Sequence, residues 1–434
     1  MAAAVAIMAI VGFVTARPKP STDKASLPVE ERVELPSTLN ILVVGIDKRY
    51  LAAKQHCDAI HMVHIDTVSE TIEIVNVPRG TRVEFKHPED WEPEPELLEL
   101  ARAQLALEAD GDKDAEQTNE EADGVFPDIL SEPEDPVLAR AWNIEQYVAN
   151  ICKYYDFETF VPHIERITGY KADYAVRVGF SEAQAFLRVL RFDPGETLQF
   201  LRHRKTYPLG DIQRSYNQAI FIKDVIVTRS DQALRFPKPA RAALFRLLQT
   251  DMPFQLADAL LVWVNESAMS GDAARVSNRT APSWGTLEEI HVTESTVGEV
   301  LNERLEHLRR LQPDFAVQDL QAQIHADILR SMGQAYRAIQ DGDGDQALAQ
   351  LQPLQESHLW LQMTDEKARQ RMTVVLAMLD GMAHLQSGSS QKETRAFAQD
   401  ALELLYLEVN GEAEAAKIRL FLDKIDSLYS TGAI

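Results

Sequence analysis

The sequence predicts an α/β protein with an α-β-α sandwich, followed by an all-α C-terminal domain. Short apolar runs bounded by turn residues, which are typical of strands, occupy positions 39–77. Strand and helix patterns then alternate between positions 142 and 227, and from about Thr293 onward only helical patterns remain. Strands interleaved with helices indicate a sheet covered by helices, and the tail indicates a region built from helices alone.

The individual elements follow from apolar periodicity. The run at 39–46 is nearly continuous and apolar, and the run at 71–77 alternates between apolar and polar residues. We predict strands at 39–46, 59–65, 71–77, 174–180 and 198–204, and helices at 142–155, 160–168, 181–190 and 211–227. The predicted sandwich domain spans residues 38–285, and the predicted helical domain spans residues 290–434.

Composition narrows the class of protein. The 434 residues are enough for two or three domains, and the ordinary fractions of apolar (45%) and charged (26%) residues exclude wholesale disorder. A formal charge of -23 argues against a non-specific nucleic-acid binder, which needs a basic face. Two cysteines, Cys57 and Cys152, cannot form a disulfide-dense scaffold or a four-cysteine zinc site. Either one bridge outside the cytoplasm or two free thiols fits the sequence.

The acidity is concentrated in one segment. Positions 88–136 hold 18 acidic and 2 basic residues, together with six prolines. Low hydrophobicity with like charge predicts a disordered insertion, which we place at 86–138, with a short helix at 96–107. A surface spacer is the default interpretation of this insertion, and a loop that collects cations or a partner is the alternative.

The N-terminus is apolar and short. Residues 2–16 carry no charge, but at about 1.5 Å per residue they fall short of the roughly 30 Å hydrocarbon core of a membrane. A signal peptide, a truncated membrane anchor and a buried helix all remain open. We favour an anchor at 1–17 because a linker rich in Pro, Ser and charged residues follows at 18–37.

Two carboxylates meet at one edge of the predicted sheet. Asp47 ends the first strand and Asp58 precedes the second, so both side chains are expected at the same edge. Two carboxylates repel each other unless a cation lies between them, and a hard divalent ion such as Mg²⁺ suits oxygen ligands. The alternative is that each aspartate only caps a helix or a turn.

Several arginines are placed so that they can converge. Arg202 and Arg204 share one face of the predicted strand at 198–204. Arg214 and Gln218 share one face of the following helix, which Asp211 can cap. Clustered arginines repel each other without an anion, and the planar guanidinium suits phosphate oxygens. The pattern favours a phosphate or pyrophosphate site, with surface ion pairs as the alternative.

Residues 39–270 resemble the LytR-CpsA-Psr family. The segments that carry the resemblance are NILVVGID (40–47), CDAIHMVHIDTVSETIEIVNVPRGTRV (57–83), ITGYKADYAVRVGFSEAQAFLRVL (167–190) and LQFLRHRKTYPLGDIQRSYNQ (198–218). They follow the order of the family's motifs, which are an apolar strand ending in Gly-x-Asp, then Arg-x-Asp-Thr, Pro-Arg-Asp, Arg-x-Arg and Gly-Asp-x-x-Arg-x-x-Arg-Gln. Members of this family are membrane-anchored, face outward, and bind polyisoprenyl (pyro)phosphate in an α-β-α sandwich.

The resemblance implies a role for each matching residue. It makes Asp47 and Asp58 the metal ligands for Mg²⁺. It makes four arginines the groups that bind and activate the pyrophosphate, and it makes three polar residues their substrate-binding neighbours. The arginines are Arg79, Arg202, Arg204 and Arg214, and the polar residues are His56, Asn217 and Gln218.

Three positions depart from the family's pattern. His56 replaces the arginine before the second aspartate, Gly80 replaces the aspartate of Pro-Arg-Asp, and Asn217 replaces the second arginine of the last motif. A histidine binds phosphate only when it is protonated, because its ordinary pKa is near 6.5. The missing carboxylate at Gly80 removes a general-base candidate or a partner for an arginine.

The C-terminal domain contains a loose repeat. The segment Gly333–Tyr336, followed by Asp341–Gly342, is echoed by Gly381–His384 and Ser387–Gly388 at offsets of 48 and 46 residues. Glycine turns between helices of this kind resemble tetratricopeptide-like hairpins, and a plain helical bundle fits equally well. We interpret the Met and Leu stripe at 372–385 as core.

The sequence thus supports three hypotheses. The first is a Mg²⁺-dependent phosphotransferase that moves a glycopolymer from a polyisoprenyl-pyrophosphate lipid to peptidoglycan. The second is a catalytically weakened relative that binds polyisoprenyl phosphate and recruits a protein partner through its helices. The third is a lipid-pyrophosphate phosphohydrolase with water as acceptor. The expected location is the cell membrane, with a single pass and extracytoplasmic domains.

Overall fold

The computed structural model describes residues 33–47, 50, 55–83, 93, 95–109, 135–267, 269, 271–291, 293, 296–316 and 320–431. The predicted anchor at 1–17, most of the predicted linker at 18–37, and residues 110–134 of the predicted insertion lie outside the described residues. Among the helices that are described, none is long and apolar enough to cross a membrane.

A mixed sheet forms the centre of the first domain. In the described part of the chain it has six strands in the order β5-β4-β1-β2-β3-β6. The β1–β4 and β3–β6 pairs are parallel, and the other pairs are antiparallel. The strands are β1 (Thr38–Asp47), β2 (His56–Asp66), β3 (Thr71–Val77), β4 (Tyr174–Val178), β5 (Gln249–Thr250) and β6 (Val276–Thr280).

Helices cover both faces of this sheet. On one face, Leu42 and Val44 of β1 pack in a cluster with Val148 and Phe160; on the other, Ile41 packs in a second cluster with buried residues of later helices. The helices of this domain are α1 (Pro95–Ala109), α2 (Pro136–Glu145), α3 (Val148–Tyr154), α4 (Phe157–Thr168), α5 (Phe180–Val189), α6 (Pro194–Arg202), α7 (Gly210–Arg229), α8 (Lys238–Arg246) and α9 (Phe254–Glu266). The predicted α-β-α sandwich is confirmed.

The C-terminal region is all-helical, as predicted. Its α-helices are α10 (Val297–Leu311), α11 (Gln321–Gln340), α12 (Gly344–Ser357), α13 (Glu366–Gln386), α14 (Gln391–Leu407) and α15 (Glu412–Thr431). A short 3₁₀ helix, Leu359–Gln362, contacts α5 of the first domain. Its Trp360 is fully buried in the same cluster as Phe186 of α5, so one hydrophobic core runs through both regions.

Most of the predicted elements are present. The predicted helix at 142–155 is divided into α2 and α3 around Gln146 and Tyr147, and one predicted strand is wrong. The predicted strand at 198–204 lies instead in α6, which begins after the N-cap Asp193 with Pro194 in its first turn. Aspartate at the N-cap with proline next to it is a helix-start signal, and a short apolar run alone does not separate strand from helix. The short helix predicted at 96–107 inside the acidic insertion is confirmed as α1.

Candidate active site

The strand register places two carboxylates at one edge of the sheet. Asp47 is the last residue of β1 and pairs with His56, the first residue of β2. The register shifts between Gly45 and Ile46, which pair with Ala59 and Cys57, so Asp58 is the extra residue of a bulge. A bulge redirects a side chain at a sheet edge. The convergence of the two aspartates at this edge therefore follows from the sheet itself.

Arg79 connects this edge to the end of β3. Its guanidinium forms an ion pair with Asp58, and its Nε lies 3.3 Å from Asp211 Oδ1. The backbone is fixed on both sides, because Thr81 N donates to Pro78 O at 3.0 Å and Ala149 N donates to Arg79 O at 3.2 Å. The turn and α3 together hold the arginine toward the carboxylates.

Arg214 reaches the Asp211 carboxylate and the backbone of Asp58 from the first turns of α7. It is buried, and its Nη2 lies 2.6 Å from Asp211 Oδ1 and donates to the carbonyl oxygen of Asp58 at 3.0 Å. A guanidinium can donate in two directions at once because its N–H groups form a rigid fork. Arg214 therefore ties the helix to the bulge of β2.

Arg202 and Arg204 approach from the end of α6. Arg202 is the last helical residue and lies over the Phe180 ring at 4.5 Å, close enough to Asp58 to lower the pKa of that carboxyl. The chain leaves the helix at His203 with extended dihedral angles, and Arg204 Nη1 lies 4.0 Å from Asp211 Oδ1. The two arginines reach one site, although they do so from a helix end and a loop, not from one face of a strand.

The predicted helix cap at Asp211 is wrong, because α7 has Leu209 at its N-cap without a side-chain cap, and Asp211 lies in the first turn as a residue of the site. Its carboxylate faces three arginines, Arg79, Arg204 and Arg214, at 3.3, 4.0 and 2.6 Å. The sequence does contain a signal for this role, because Asp211 is the aspartate of the Gly-Asp-x-x-Arg motif. Its place among the arginines makes it the group that holds them together.

The charges of the cluster shift its pKa values. Burial alone would raise the pKa of Asp58, but Arg79, Arg214 and Arg202 outweigh it and lower the pKa below the usual 3.8. Burial also lowers the pKa of Arg214 and Arg204, and Arg79 adds to this by like-charge repulsion. An incoming anion would relieve this repulsion, which is the electrostatic property expected of a phosphate site.

A cavity of about 640 Å³ opens beside the arginines. Its polar lining includes Arg79, Arg204 and Asp211, whereas Arg202 and Arg214 are not among its lining residues. Its apolar lining comes from several elements and includes Leu100, Ile144, Leu209, Ile212 and Trp284. A cavity lined by both cations and apolar side chains suits an amphipathic ligand with an anionic head.

Of the three polar residues predicted to contact the substrate, only one lines the cavity. His56 lines the cavity, whereas Asn217 and Gln218 are buried within α7 and are not among its lining residues. Asn217 accepts a hydrogen bond from Gln213 Nε2 at 2.7 Å. Gln218 donates to Leu201 O at 2.8 Å, which fixes the last turn of α6 next to Arg202. Gln218 therefore positions the arginines rather than touching the cavity.

Gly80 lines the cavity next to Arg79. A Cβ atom added there would meet no atom within 4 Å. The position that departs from the family's pattern therefore has space for a side chain, which allows the missing carboxylate to be tested directly.

The site offers a cation two predicted ligands. Asp47 and Asp58 both act on Arg79 electrostatically. Within the described ranges no group of three or more His, Cys, Asp or Glu side chains is arranged to hold a metal ion. Mg²⁺ is usually bound by one or two carboxylates, with substrate phosphates and waters completing its shell. Mg²⁺ would therefore need a phosphate ligand besides the two carboxylates, and its binding stays a prediction.

A disulfide joins Cys57 to Cys152, a pairing that the sequence alone leaves open. The Cα atoms are 5.9 Å apart, and the bond connects the start of β2 to α3. Cys57 precedes Asp58 and lines the cavity, so the bridge holds one wall of the site. Structural disulfides persist in oxidising compartments such as the outer side of a cell membrane.

Residues 13–98 match the model of the LytR_cpsA_psr family. This range contains β1 to β3 with Asp47, Asp58 and Arg79. The predicted resemblance to the LytR-CpsA-Psr family is confirmed over this part of the chain. Proteins of this family transfer cell-wall glycopolymers to peptidoglycan. No curated protein sequence matches the chain.

The solved structures that the chain matches include the following three. TagV from B. subtilis is 14% identical, with 62% of this chain and 98% of that chain covered and a TM-score of 0.35. TagT bound to LI-WTA is 12% identical, with 67% and 99% covered and a TM-score of 0.34. The Lin1025 protein from Listeria innocua is 13% identical, with 63% and 100% covered and a TM-score of 0.32.

Proposed function

We propose that the protein is a phosphotransferase that moves a glycopolymer from a polyisoprenyl-pyrophosphate lipid to a sugar hydroxyl of peptidoglycan, and releases polyisoprenyl phosphate. The observation that carries the proposal is that Arg79 and Arg204 line a cavity together with apolar side chains, while Arg202 and Arg214 belong to the same charged cluster around Asp58 and Asp211. The pyrophosphate would bind at the arginines that line the cavity, and the isoprenoid chain would lie against its apolar lining.

The reaction is an exchange of oxygen atoms at one phosphorus. The oxygen of the acceptor hydroxyl bonds to the phosphorus that carries the glycopolymer, and the bond from that phosphorus to the bridging oxygen breaks. The bridging oxygen leaves with the lipid as polyisoprenyl phosphate, and the hydroxyl proton ends on that phosphate. Catalysis of this kind depends on positioning and on stabilisation of the charge that develops on the phosphate oxygens.

The arginines supply that stabilisation. Arg79 and Arg214 are held in place by Asp58 and Asp211, so they need little rearrangement when charge develops on the substrate. Arg204 has weaker contacts and is more exposed, which leaves its guanidinium available to the ligand. We assign Arg79 and Arg204, which line the cavity, to the phosphates, and buried Arg214 to holding Asp211 and the bulge of β2 in place.

Mg²⁺ is the metal that the proposal includes. Asp47 and Asp58 would hold it, and a bound ion would neutralise part of the charge of the pyrophosphate. The apolar N-terminal segment at 1–17 would anchor the chain in the membrane by a single pass, with the folded domains outside the cytoplasm. The disulfide between Cys57 and Cys152 supports that location, because such bonds are rare in the reducing cytoplasm.

A non-catalytic polyisoprenyl-phosphate binder is the second candidate. The observation in its favour is Gly80, which leaves the space beside Arg79 without the carboxylate expected from the family's pattern. Such a protein would keep the arginine site and would bind the lipid without turning it over. A phosphohydrolase would use the same site with water in place of the sugar hydroxyl.

One experiment separates these functions. The full chain is incubated in detergent with a short polyisoprenyl-pyrophosphate-linked disaccharide, Mg²⁺ and peptidoglycan fragments, and the products are identified by mass spectrometry. Transfer supports the proposal, release of the lipid phosphate without transfer supports the phosphohydrolase, and binding without turnover supports the second candidate. Absence of lipid binding would refute all three.

The matched variants are Arg204→Ala at the site and Arg309→Ala at an exposed position of α10 that does not line the cavity. Arg204→Ala should weaken lipid binding and turnover at least tenfold, and Arg309→Ala should change neither. Chelation of Mg²⁺ should stop transfer. Full transfer with EDTA would remove the metal from the proposal while leaving the arginine site intact.

A further inference from the structure

The C-terminal helices form a repeating array. The αL glycines Gly342 and Gly388, 46 residues apart, end α11 and α13, and α13 and α15 begin 46 residues apart at Glu366 and Glu412. α11 packs against α13, and α13 packs against α15. Positions 46 residues apart on these three helices are therefore equivalent, and side chains at such positions lie next to one another across the array.

Apolar side chains are exposed at equivalent positions of this array. Leu329 and Tyr336 on α11 correspond to Val375 and Met382 on α13, and all four are 39–49% exposed. They lie seven residues apart on each helix, which places them on one face. Within the stripe at 372–385, Leu376 and Leu379 are buried as expected for core, whereas Val375 and Met382 are not.

The row continues onto α15. Phe421 is equivalent to Val375 and is partly buried, and its ring covers Gly381, where a Cβ would come within 2.8 Å of it. Glycine at this position allows the phenyl ring to lie flat against α13. The apolar row thus crosses three helices and is set into the surface, which gives it the form of a shallow strip rather than a set of projecting side chains.

Basic side chains without carboxylate partners border this row. Lys367 and Arg371 on α13 and Lys424 on α15 are exposed, and none has an ion-pair partner in the described part of the chain. Other arginines of the region are paired, for example Arg330 with Asp327 and Arg395 with Asp426. In a chain with a net charge of -23, three unpaired cations beside an apolar row make a locally positive face.

We propose that this face binds an acidic peptide segment that carries apolar side chains. The cations would attract the acidic residues, and the row from Leu329 to Phe421 would bury the apolar ones. A peptide fits better than a membrane surface, because the apolar side chains are half-buried and do not project. The net acidity of the chain disfavours a nucleic acid, whose phosphates the rest of the surface would repel.

The test measures binding of a defined peptide to the full chain. The fluorescent probe has the sequence of residues 119–134, which combines six acidic residues with Val125, Phe126 and Ile129. A version with every Asp and Glu replaced by Lys is the charge control. Fluorescence anisotropy should give a micromolar dissociation constant for the acidic peptide, weakening with added salt, and at least tenfold weaker binding of the basic version.

Surface variants locate the site. The double variant Lys367→Glu, Arg371→Glu should bind the acidic peptide at least tenfold more weakly. Met382→Ser should bind it several-fold more weakly. Arg309→Glu with Arg310→Glu makes the same change in charge at two exposed positions of α10 and should have little effect. No binding below 1 mM, equal binding of both peptides, or binding unchanged by the variants on α13 would overturn the proposal. Preferential binding to anionic vesicles that is lost in the same variants would also overturn it.

Discussion

Buried Arg214 shows why the identity of a cation matters as well as its charge. One guanidinium nitrogen serves both Asp211 and the carbonyl of Asp58, and the side chain is surrounded by protein. A lysine in its place would keep the charge but lose the planar fork that fits carboxylates and phosphates. The site therefore depends on geometry that a charge count does not capture.

We predict that Arg214→Lys lowers transfer about 10- to 100-fold and destabilises the fold by about 1–2 kcal/mol. Steady-state kinetics with the lipid-linked disaccharide and urea denaturation measure the two effects. Arg330→Lys, at an exposed ion pair on α11, is the matched control and should leave both unchanged. A variant with normal turnover would show that Arg214 is structural only.

Restoring the family's aspartate at Gly80 tests whether the missing carboxylate limits the reaction. The position lines the cavity, lies next to Arg79, and has open space where a Cβ atom would stand. A carboxylate there would be close to the attacking hydroxyl, and positioned general bases contribute about 10²–10⁴-fold to rates. We predict that Gly80→Asp raises the transfer rate at least tenfold, while Gly80→Asn does not. An equal effect of both substitutions would exclude proton transfer as the reason.

At the scale of secondary-structure elements, the sequence predicts those strands and helices whose own apolar periodicity is clear. The apolar run of β1 and the alternation of β3 are recovered within one or two residues. The sequence does not predict α6 as a helix, because its few apolar residues fit both the helix period and the strand period. The two-residue strand β5 is too short to show any periodic pattern. The order of the motifs predicts that the arginines cluster at one site. The role of Asp211 and the pairing of the cysteines depend on tertiary contacts between segments that are distant in sequence, so local pattern does not predict them.

The segment that joins the two regions is also determined by tertiary contacts. Ser181 at the start of α5 donates to Ser357 O at 2.5 Å, and Gln362 donates to Ser181 at 2.9 Å. His358 lies 2.5 Å from the buried Glu182. Polar contacts around the fully buried Trp360 therefore fix the 3₁₀ helix against α5.

We predict that Trp360→Ala destabilises the protein by about 3–5 kcal/mol, because it leaves a large cavity between the two regions. Trp360→Phe should cost less, since its indole nitrogen has no hydrogen-bond partner among the described residues. Hydrogen exchange should show lower protection in both α5 and α13. Loss of protection confined to the C-terminal helices would contradict a shared core. Leu311→Ala, at an exposed position, serves as the control and should change stability by less than about 0.5 kcal/mol.

At the scale of the whole molecule, burial of histidines links stability to pH. His61 in β2 is fully buried, and neither of its ring nitrogens has a hydrogen-bond partner in the described structure, so burial lowers its pKa well below 6.5. Burial, together with the nearby Arg304, lowers the pKa of His203 to about 4. Both side chains are therefore neutral in the folded protein at neutral pH.

The sign of the effect follows from proton binding. Between pH 6.5 and about 4 the unfolded chain binds protons on these histidines and the folded chain does not, so the free energy of unfolding falls as pH falls. We predict that urea denaturation at pH 7.5, 5.5 and 4.5 gives steadily lower stability. His203→Gln should reduce the number of protons taken up on unfolding by up to one. The titration of His61 should account for part of the pH dependence that remains in this variant. An unchanged slope in His203→Gln would mean that this imidazole binds its proton equally in the folded and unfolded states, contrary to the prediction. In that case His203 would add a positive charge beside Arg202 and Arg204 at low pH, and lipid binding would weaken in that variant there.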